Sequence, residues 1–482
     1  MGEGEALQAR HGPLRAAGTG ARGARRNPAA DQTGRGVRRA GVGIRPDRSL
    51  ATSHPISGAD GALFCAQRRS RGGRLESDLG HDARWMKVAL SAARLGCGWT
   101  HPNPRVGAVA VRDGRLVGIG SHLRFGAEHA EAHLIRHAPA ERVRGATLYV
   151  TLEPCCHQGQ TPPCTRAIRA AGFSRVVSAV GDPAPHVCGG GFAELRGAGI
   201  EVAAGIRAAE ALRLNAPYFW RQRCERSFVT LKMASSLDGR LATADGSSRW
   251  ISSAAARERV QQWRAGCDAL LVGGGTFAAD RPRLTARPRR DPLRRLRRRV
   301  PGAQEQWPHQ PARIVVDSRA SIAVHDALLG HVLAHPGAPW VVACGAEAPR
   351  EAVRALESAG LRVWRCPHPS GGARVDLVAL LQRTASEGWM DVMVEGGAGL
   401  ASALLAADLV DRLRLFLAPI LLGGPRTWLG DLGVETLQRA RRTGRPLTQR
   451  IGRDLLITTL LPPAVRRLQE LREDPILACS PG

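Results

Sequence analysis

Lysine is almost absent from this chain: Lys87 and Lys232 are the only two in 482 residues. The formal net charge is still +27, so arginine carries nearly all of the positive charge. Such one-sided use of arginine, beside abundant alanine and glycine, reads as the codon bias of a GC-rich genome. A basic field of that size would also attract polyanions. No apolar run reaches the length of a membrane span, which argues against a transmembrane helix. No apolar segment follows the N-terminus, so no secretory signal is read there. The eleven cysteines lack the dense spacing of a small secreted framework. That implies a reducing compartment and a cytoplasmic protein. A hydrophobic content of 43% over this length suffices for two or three domains with cores of their own.

What is present is concentrated between His129 and Cys164. The stretch opens His129-Ala-Glu131 and continues through Glu153-Pro-Cys155-Cys156-His157 to Pro162-Pro163-Cys164. One histidine and two separated thiolates can fill three corners of a tetrahedral Zn²⁺ and leave the fourth open to water. Glu131, two residues after the histidine, is placed to shuttle protons for that water without binding the metal. His129, Cys155 and Cys164 are therefore candidate zinc ligands, and Glu131 the candidate catalytic acid/base of a hydrolytic nucleobase deaminase. A closed structural zinc site is the competing arrangement, with Cys156 or His157 as fourth ligand.

Around this centre the chain divides. Residues 1–80 are rich in Arg, Gly and Ala without helical or strand periodicity, the composition of a disordered extension. A transit peptide, or a reading frame extended upstream of Met86, would account for the same stretch. From Asp82 an amphipathic helix begins, with Trp85, Val88, Ala89, Ala92 and Leu95 at helical spacing. Val106–Val111 and Leu116–Ile119 read as a hairpin across Asp113-Gly114. Strands and helices then alternate to about residue 225, giving an α/β layer sandwich over 82–225. A second α/β unit with a mostly parallel sheet follows over 226–462, and a tail over 463–482. Between Arg281 and Arg299 lie ten arginines. This insertion is expected to be a solvated loop, with a phosphate or RNA contact as the sharper alternative.

No dinucleotide-binding glycine fingerprint of the usual form is present. Gly397-Ala-Gly399 follows a strand and opens a helix, which suits an anion through backbone amides and the helix N-terminus. Alone, it is equally a tight strand-to-helix turn.

The eight residues between Cys155 and Cys164 replace the short Pro-Cys-x-x-Cys of most zinc deaminases. That longer spacing resembles the bifunctional riboflavin-biosynthesis deaminase/reductase family. So do His101-Pro-Asn-Pro-Arg-Val-Gly107, which looks like the family's pyrimidine-binding entry segment, and Asp182-Pro183, which looks like its later loop. In the second unit the matching segments are Leu231-Lys232 through Gly239, Trp250-Ile-Ser252, Asp280 with Leu284-Thr285 and Arg287, and Val394-Glu-Gly-Gly397. Together they cover about residues 82–460 in the family's order.

The resemblance implies a cytidine-deaminase-like three-layer sandwich followed by a dihydrofolate-reductase-like domain. It implies zinc-dependent deamination of 2,5-diamino-6-ribosylamino-4(3H)-pyrimidinone 5′-phosphate, then NADPH-dependent reduction of the ribosyl side chain of 5-amino-6-(5-phosphoribosylamino)uracil. Ala234, Trp250, Thr276, Asp280, Ser318, Gly397, Ala398, Gly399, Leu400, Ala401, Ser402 and Ala403 would line NADPH. Ser248, Arg264, Leu284, Arg287 and Glu395 would hold the phosphorylated pyrimidine, where a guanidinium fork suits a phosphate. Lys232 has a chemical or a merely structural role. A homodimer is implied as well. Glu128, Cys156, Ala184 and Gly399 depart from the family's pattern, but none removes a ligand or Glu131. The rival readings are a nucleic-acid or free-base zinc deaminase with a non-catalytic second domain, and a zinc or partner-binding module without catalysis. Specific nucleic-acid binding is not expected.

Overall fold

The computed structural model describes residues 72–159, 161–303 and 308–473. The expected extension, up to residue 71, and the last nine residues of the chain lie outside the described residues. The described part belongs to one compact unit, Arg69–Gly482.

The first sheet is built around a strand that is buried on both sides. Strand β1 (Gly107–Arg112) exposes only Arg112. Its alternation sends Val109 and Val111 into one core and Ala108 and Ala110 into another. Asp113 and Gly114 both have positive φ, as a two-residue hairpin turn requires, and return the chain antiparallel as β2 (Arg115–Ser121). Strands β3 (Thr147–Val150), β4 (Arg175–Ser178) and β5 (Glu201–Ala204) complete the order β2-β1-β3-β4-β5. The pairs β3/β4 and β4/β5 are parallel. Helix Gly72–Ala93 covers one face, with Trp85, Met86 and Leu90 in the core shared with Val109 and Tyr149. Helices Ala130–His137 and Cys164–Ala171 cover the other through Leu134 and Ile168. Two glycines let the helices lie directly on the strands. A Cβ on Gly107 would stand 2.1 Å from Ala89 O, and one on Gly120 2.0 Å from Ala130 O.

The second sheet has nine strands: β6 (Phe228–Ser236), β7 (Ala269–Gly273), β8 (Ala312–Val316), β9 (Trp340–Cys344), β10 (Arg362–Arg365), β11 (Asp391–Glu395), β12 (Arg412–Ala418), β13 (Leu447–Ile451) and β14 (Asp454–Leu460). Their order is β10-β9-β8-β7-β11-β6-β12-β14-β13. Every neighbouring pair from β10 to β12 is parallel, and β14 and β13 add an antiparallel hairpin edge. Val229, Leu231, Leu271, Ile314, Val392 and Val394 form one core; Leu270, Val272, Val315, Val342 and Met393 form the other. Both faces are therefore covered, as parallel strands require. From β7 the chain moves outward to β8, whereas from β11 it crosses β6 to reach β12. The crevice between β7 and β11 is thus a point where the winding reverses, the usual place for a ligand in such a sheet.

Several sequence expectations need correction. The first helix runs straight through Met86, and Asp82 upstream of it is buried, accepting from Tyr149 Oη at 2.7 Å and from Arg175 Nη1 and Nη2 at 3.0 Å. The compact fold therefore begins before Met86. The described part of the tail lies in helix Pro462–Glu473 and buries Ala464 against Trp220 and Phe228.

The arginine-rich insertion is not simply a solvated loop. Its neck is closed by paired hydrogen bonds between Ala286 and Gln310. Glu258 accepts from the backbone N–H groups of Arg289 and Arg290 at 3.0 Å. Val300 and Ala303 then enter the core of the first sheet, with Leu293 and Leu296 packed beside them. Arg297 is buried and donates to Asp291 Oδ2 and Ala303 O, and Pro301 O meets His133 Nε2 at 3.2 Å. The segment is a strap from the second sheet laid over the first.

Candidate active sites

Two helix starts and one strand end converge on the first site. His129 is the residue before helix Ala130–His137, Cys164 is the first residue of helix Cys164–Ala171, and Cys155 follows β3. His129 Nδ1 lies 3.3 Å from Cys164 Sγ and 3.4 Å from Cys155 Sγ. All three ligand atoms lie within 4.8 Å of one another. A tetrahedral zinc with ordinary Zn–N and Zn–S lengths would hold such atoms about 3.5 Å apart, so the donor set fits the ion. Cys155 is pulled down to about 4, first by its hydrogen bond with Cys164 and then by His129, while Cys164 is raised. The two thiols share protons as one unit.

Glu131 is the second residue of helix Ala130–His137 and is 3% exposed. Burial pushes its carboxyl up to about 7, against the opposing charge of His129. A carboxyl that titrates near neutrality can both take and give a proton. A cavity of about 370 Å³ opens onto these groups, lined also by Asn103, His122, Asp182, Ala184, His157 and Tyr218. Burial drives His122 down to about 4. Its neutral tautomer is fixed, because Nδ1–H donates to Glu128 O at 2.9 Å and Nε2 then faces Asn103 Nδ2 at 3.3 Å. Asp182 is raised to about 6 by burial and accepts from Tyr218 Oη and Ala184 N.

Glu153 is buried and lies outside the His129/Cys155/Cys164 cluster. Its carboxylate accepts from the backbone N–H of Asp182, Gly189 and Phe192 at 3.2, 3.0 and 3.2 Å, which folds the far wall back onto the metal loop. Neither this role nor His122 stands out in the sequence, whereas Asn103 lies in the His101–Gly107 segment that carries the family resemblance. Of the departures, Glu128 pairs with Arg136 at 2.8 Å, and Cys156 Sγ donates to His186 O at 3.9 Å, outside the ligand cluster. Cys155 and Cys156 are both free thiols.

The second site lies at the C-terminal ends of β6, β7, β8 and β11, where Ala234, Thr276, Ser318 and Glu395 fall. Thr276 Oγ1 accepts from Gly397 N at 2.8 Å across the β7/β11 crevice. Gly397 is the residue before helix Ala398–Ala406, and a Cβ there would meet Thr276 Oγ1 at 3.0 Å. Gly399 faces open space. A glycine turn, the free amides of a helix start and a winding reversal together fit a dinucleotide pyrophosphate. Ala398, Leu400, Ala401 and Ala403 are carried on that helix, and Ser402 Oγ accepts from Gly430 N at 2.8 Å.

Arg264 and Glu395 form a two-bond pair at 2.7 and 2.8 Å, and Arg264 Nη1 also donates to Thr285 O at 3.2 Å. Burial opposes ionisation of Glu395, but Arg264 and then Lys232 hold its carboxyl below the usual range. Lys232 is depressed by burial. Arg287 is exposed and turns its guanidinium to Thr285 Oγ1. Leu284 sits at φ 50° with its side chain in the apolar core beside Phe277. Asp280 pairs with Arg249 at 3.3 Å, Trp250 is 65% exposed under Arg257, and Ser248 O accepts from Ile251 N.

Each half of the chain matches a known family. The zinc-binding region of cytidine and deoxycytidylate deaminases matches residues 80–180, and the RibD C-terminal domain matches 227–454. The class is a zinc deaminase joined to a reductase. The riboflavin biosynthesis protein RibD of Escherichia coli is 39% identical over 78% of this chain and 98% of its own length. That of Aquifex aeolicus is 38% identical over 78% and 97%. Among solved structures, Acinetobacter baumannii RibD has 34% identity and a TM-score of 0.64, covering 80% of this chain and 99% of its own. The Thermotoga maritima diaminohydroxyphosphoribosylaminopyrimidine deaminase/5-amino-6-(5-phosphoribosylamino)uracil reductase has 29% identity and the same score and coverage. The chain belongs to the RibD family, and is a bifunctional enzyme of riboflavin biosynthesis, a hydrolase and an oxidoreductase. The nucleic-acid deaminase alternative is not favoured.

Proposed function

We propose that residues 82–225 deaminate the diaminopyrimidine ribotide and residues 226–462 reduce the resulting aminouracil ribotide, with 463–482 as a tail. The observation that carries the first step is the buried Glu131 beside the His129/Cys155/Cys164 cluster at the floor of the cavity. His129, Cys155 and Cys164 hold the zinc, which when bound makes water acidic enough to react near neutral pH. Glu131 takes the proton from that water and returns it to the departing amino nitrogen. Asn103, His122 and Asp182 form the polar wall against the pyrimidine.

In the second step NADPH supplies the hydride, and the protein's work is orientation. Thr276, Gly397 and the start of helix Ala398–Ala406 receive the pyrophosphate, with Ala234, Trp250, Asp280 and Ser318 around the cofactor. Glu395 occupies two donors of Arg264, so the guanidinium fork left for the substrate phosphate is that of Arg287. Ser248 and Leu284 complete the substrate side. The reading includes a homodimer, as the family resemblance implies, and a cytoplasmic setting. Among the described residues no helix is long and apolar enough to cross a membrane.

The test follows ammonia release and NADPH oxidation separately, with the ribotide supplied with and without NADPH and zinc measured on the same sample. Ammonia without NADPH, and NADPH consumption only after deamination, is the expected result. Neither signal from zinc-loaded protein would sink the proposal.

A further inference from the structure

One wall of the deaminase cavity is held from both halves of the chain: Asn103 Nδ2 meets His122 Nε2 just past β2, while its flanks reach the second sheet. Pro102, Asn103 and Pro104 line the cavity from an irregular segment between the first helix and β1. The residues on either side of them are fastened elsewhere. His101 Nδ1 lies 2.5 Å from Asp268 Oδ2, with both side chains nearly buried. Arg105 Nη2 donates to Gly266 O at 3.0 Å and to Asp391 Oδ2 at 3.3 Å. Asn215 pairs with the Arg105 backbone through both of its amide atoms.

Asp268 immediately precedes β7 and Asp391 opens β11, so both acids belong to the reductase sheet. They form one fixture, because Asp268 Oδ2 also accepts from the backbone N–H of Met390 and Asp391 at 2.8 Å. These are the same two strands whose opposite ends carry Thr276 and Gly397. One end of the pair holds the cofactor cradle, and the other holds the pyrimidine wall of the first site. Buried ion pairs with this many fixed partners add little net stability, yet removing one partner leaves a charge stranded and the geometry unset.

We propose that Asp268 and Asp391, residues of the reductase half, are positioning residues for deamination: through His101 and Arg105 they hold Pro102–Pro104 in the shape that receives the pyrimidine. The proposal rests on the reading of this cavity as the deaminase site. It makes the reductase half part of the deaminase's binding pocket, separately from its own chemistry.

The test uses full-length, zinc-loaded Asp391→Asn and Asp268→Asn, with Asp391→Glu as the conservative partner and Glu131→Gln as the control. The Asn variants are expected to raise the ribotide KM for ammonia release about tenfold with kcat within about threefold, the signature of lost binding rather than lost chemistry. Zinc content stays at that of the parent. NADPH-dependent reduction of separately supplied aminouracil ribotide stays within about twofold, because the cradle lies at the other end of the strands. Asp391→Glu, which keeps a carboxylate for Arg105, recovers a KM near the parent value. An unchanged deaminase KM in both Asn variants would overturn the proposal. So would a parallel fall of both activities with melting temperature, which marks a purely structural role. If Glu131→Gln retained ammonia release, the failure would belong to the site reading itself.

Discussion

The two reactive centres of this chain are made of different material. The proposed deaminase centre is side chains: His129, Cys155 and Cys164, drawn from one short stretch and brought within 4.8 Å of one another, with Glu131 buried beside them. The reductase crevice is mostly backbone, gathered from strand ends between Ala234 and Ala403. Metal ligation demands particular atoms, so it leaves particular residues at fixed spacing. A pyrophosphate is satisfied by amide N–H groups and a helix start, which nearly any sequence can supply once a glycine opens the turn. The first centre should therefore fail abruptly when one side chain changes, and the second should fail by degrees.

The largest effect expected is that of Glu131→Gln. Loss of the proton shuttle should cut ammonia release about 10³-fold or more. Zinc content and reduction of separately supplied aminouracil ribotide should be preserved. Removing zinc with a chelator should give the same split, and restoring it should recover deamination. A reductase activity that fell with the deaminase in either experiment would show that the two centres are not separable.

Arg264→Ala comes next. It strands Glu395 in a nearly buried position beside Lys232, where breaking such a pair costs about 3–5 kcal/mol. Reductase kcat/KM should fall at least about 100-fold while ammonia release holds. Arg264→Lys should rescue only part of this, since an ammonium cannot make the two-bond contact with Glu395. Full rescue by lysine would mean that charge alone matters there.

A graded loss is expected at the cradle. Gly397→Val places carbon atoms where Thr276 Oγ1 already lies 3.0 Å from an added Cβ. NADPH KM should rise about tenfold, with deamination unchanged. Thr276→Ala, which removes the hydrogen bond to Gly397 N, should cost about 1 kcal/mol of cofactor affinity. If Gly397→Val left NADPH KM alone, the crevice between β7 and β11 would not be the pyrophosphate site.

Much of this was legible in the sequence, for reasons that differ from place to place. The His129/Cys155/Cys164 cluster, the Asp113-Gly114 hairpin and the two α/β units follow from spacing and turn chemistry. Arg264 was expected to grip a phosphate, and its partnership with Glu395 was hidden because the two are far apart in the chain. Glu153 looked like part of a metal motif, yet its work is to cap three backbone amides from a distant loop. Strands β13 and β14 were missed because Leu447–Ile451 is largely exposed and carries little apolar signal. The strap was read by its arginines, although Leu293, Leu296, Val300 and Ala303 recur at intervals of three, four and three. That apolar spacing was the signal, and the charge around it masked it.

The strap also yields the smallest and most discriminating contrast. Val300 is 1% exposed in the core of the first sheet, whereas Arg298 is exposed on the same segment. Burial of a valine contributes about 1.5–3 kcal/mol, so Val300→Asp should destabilise the protein by at least that amount and open the strap to proteolysis. Deamination should suffer more than reduction, because Pro301 O rests on His133, in the helix that carries Glu131. Arg298→Gln should change stability by less than about 0.5 kcal/mol and leave both activities intact, as an exposed surface charge ordinarily does. Any RNA retained by the parent at low salt should dissociate at moderate salt, as binding by diffuse charge does. A sequence-selective, salt-resistant complex abolished by Arg298→Gln would mean that the arginines, and not the apolar seam, are what the strap is for.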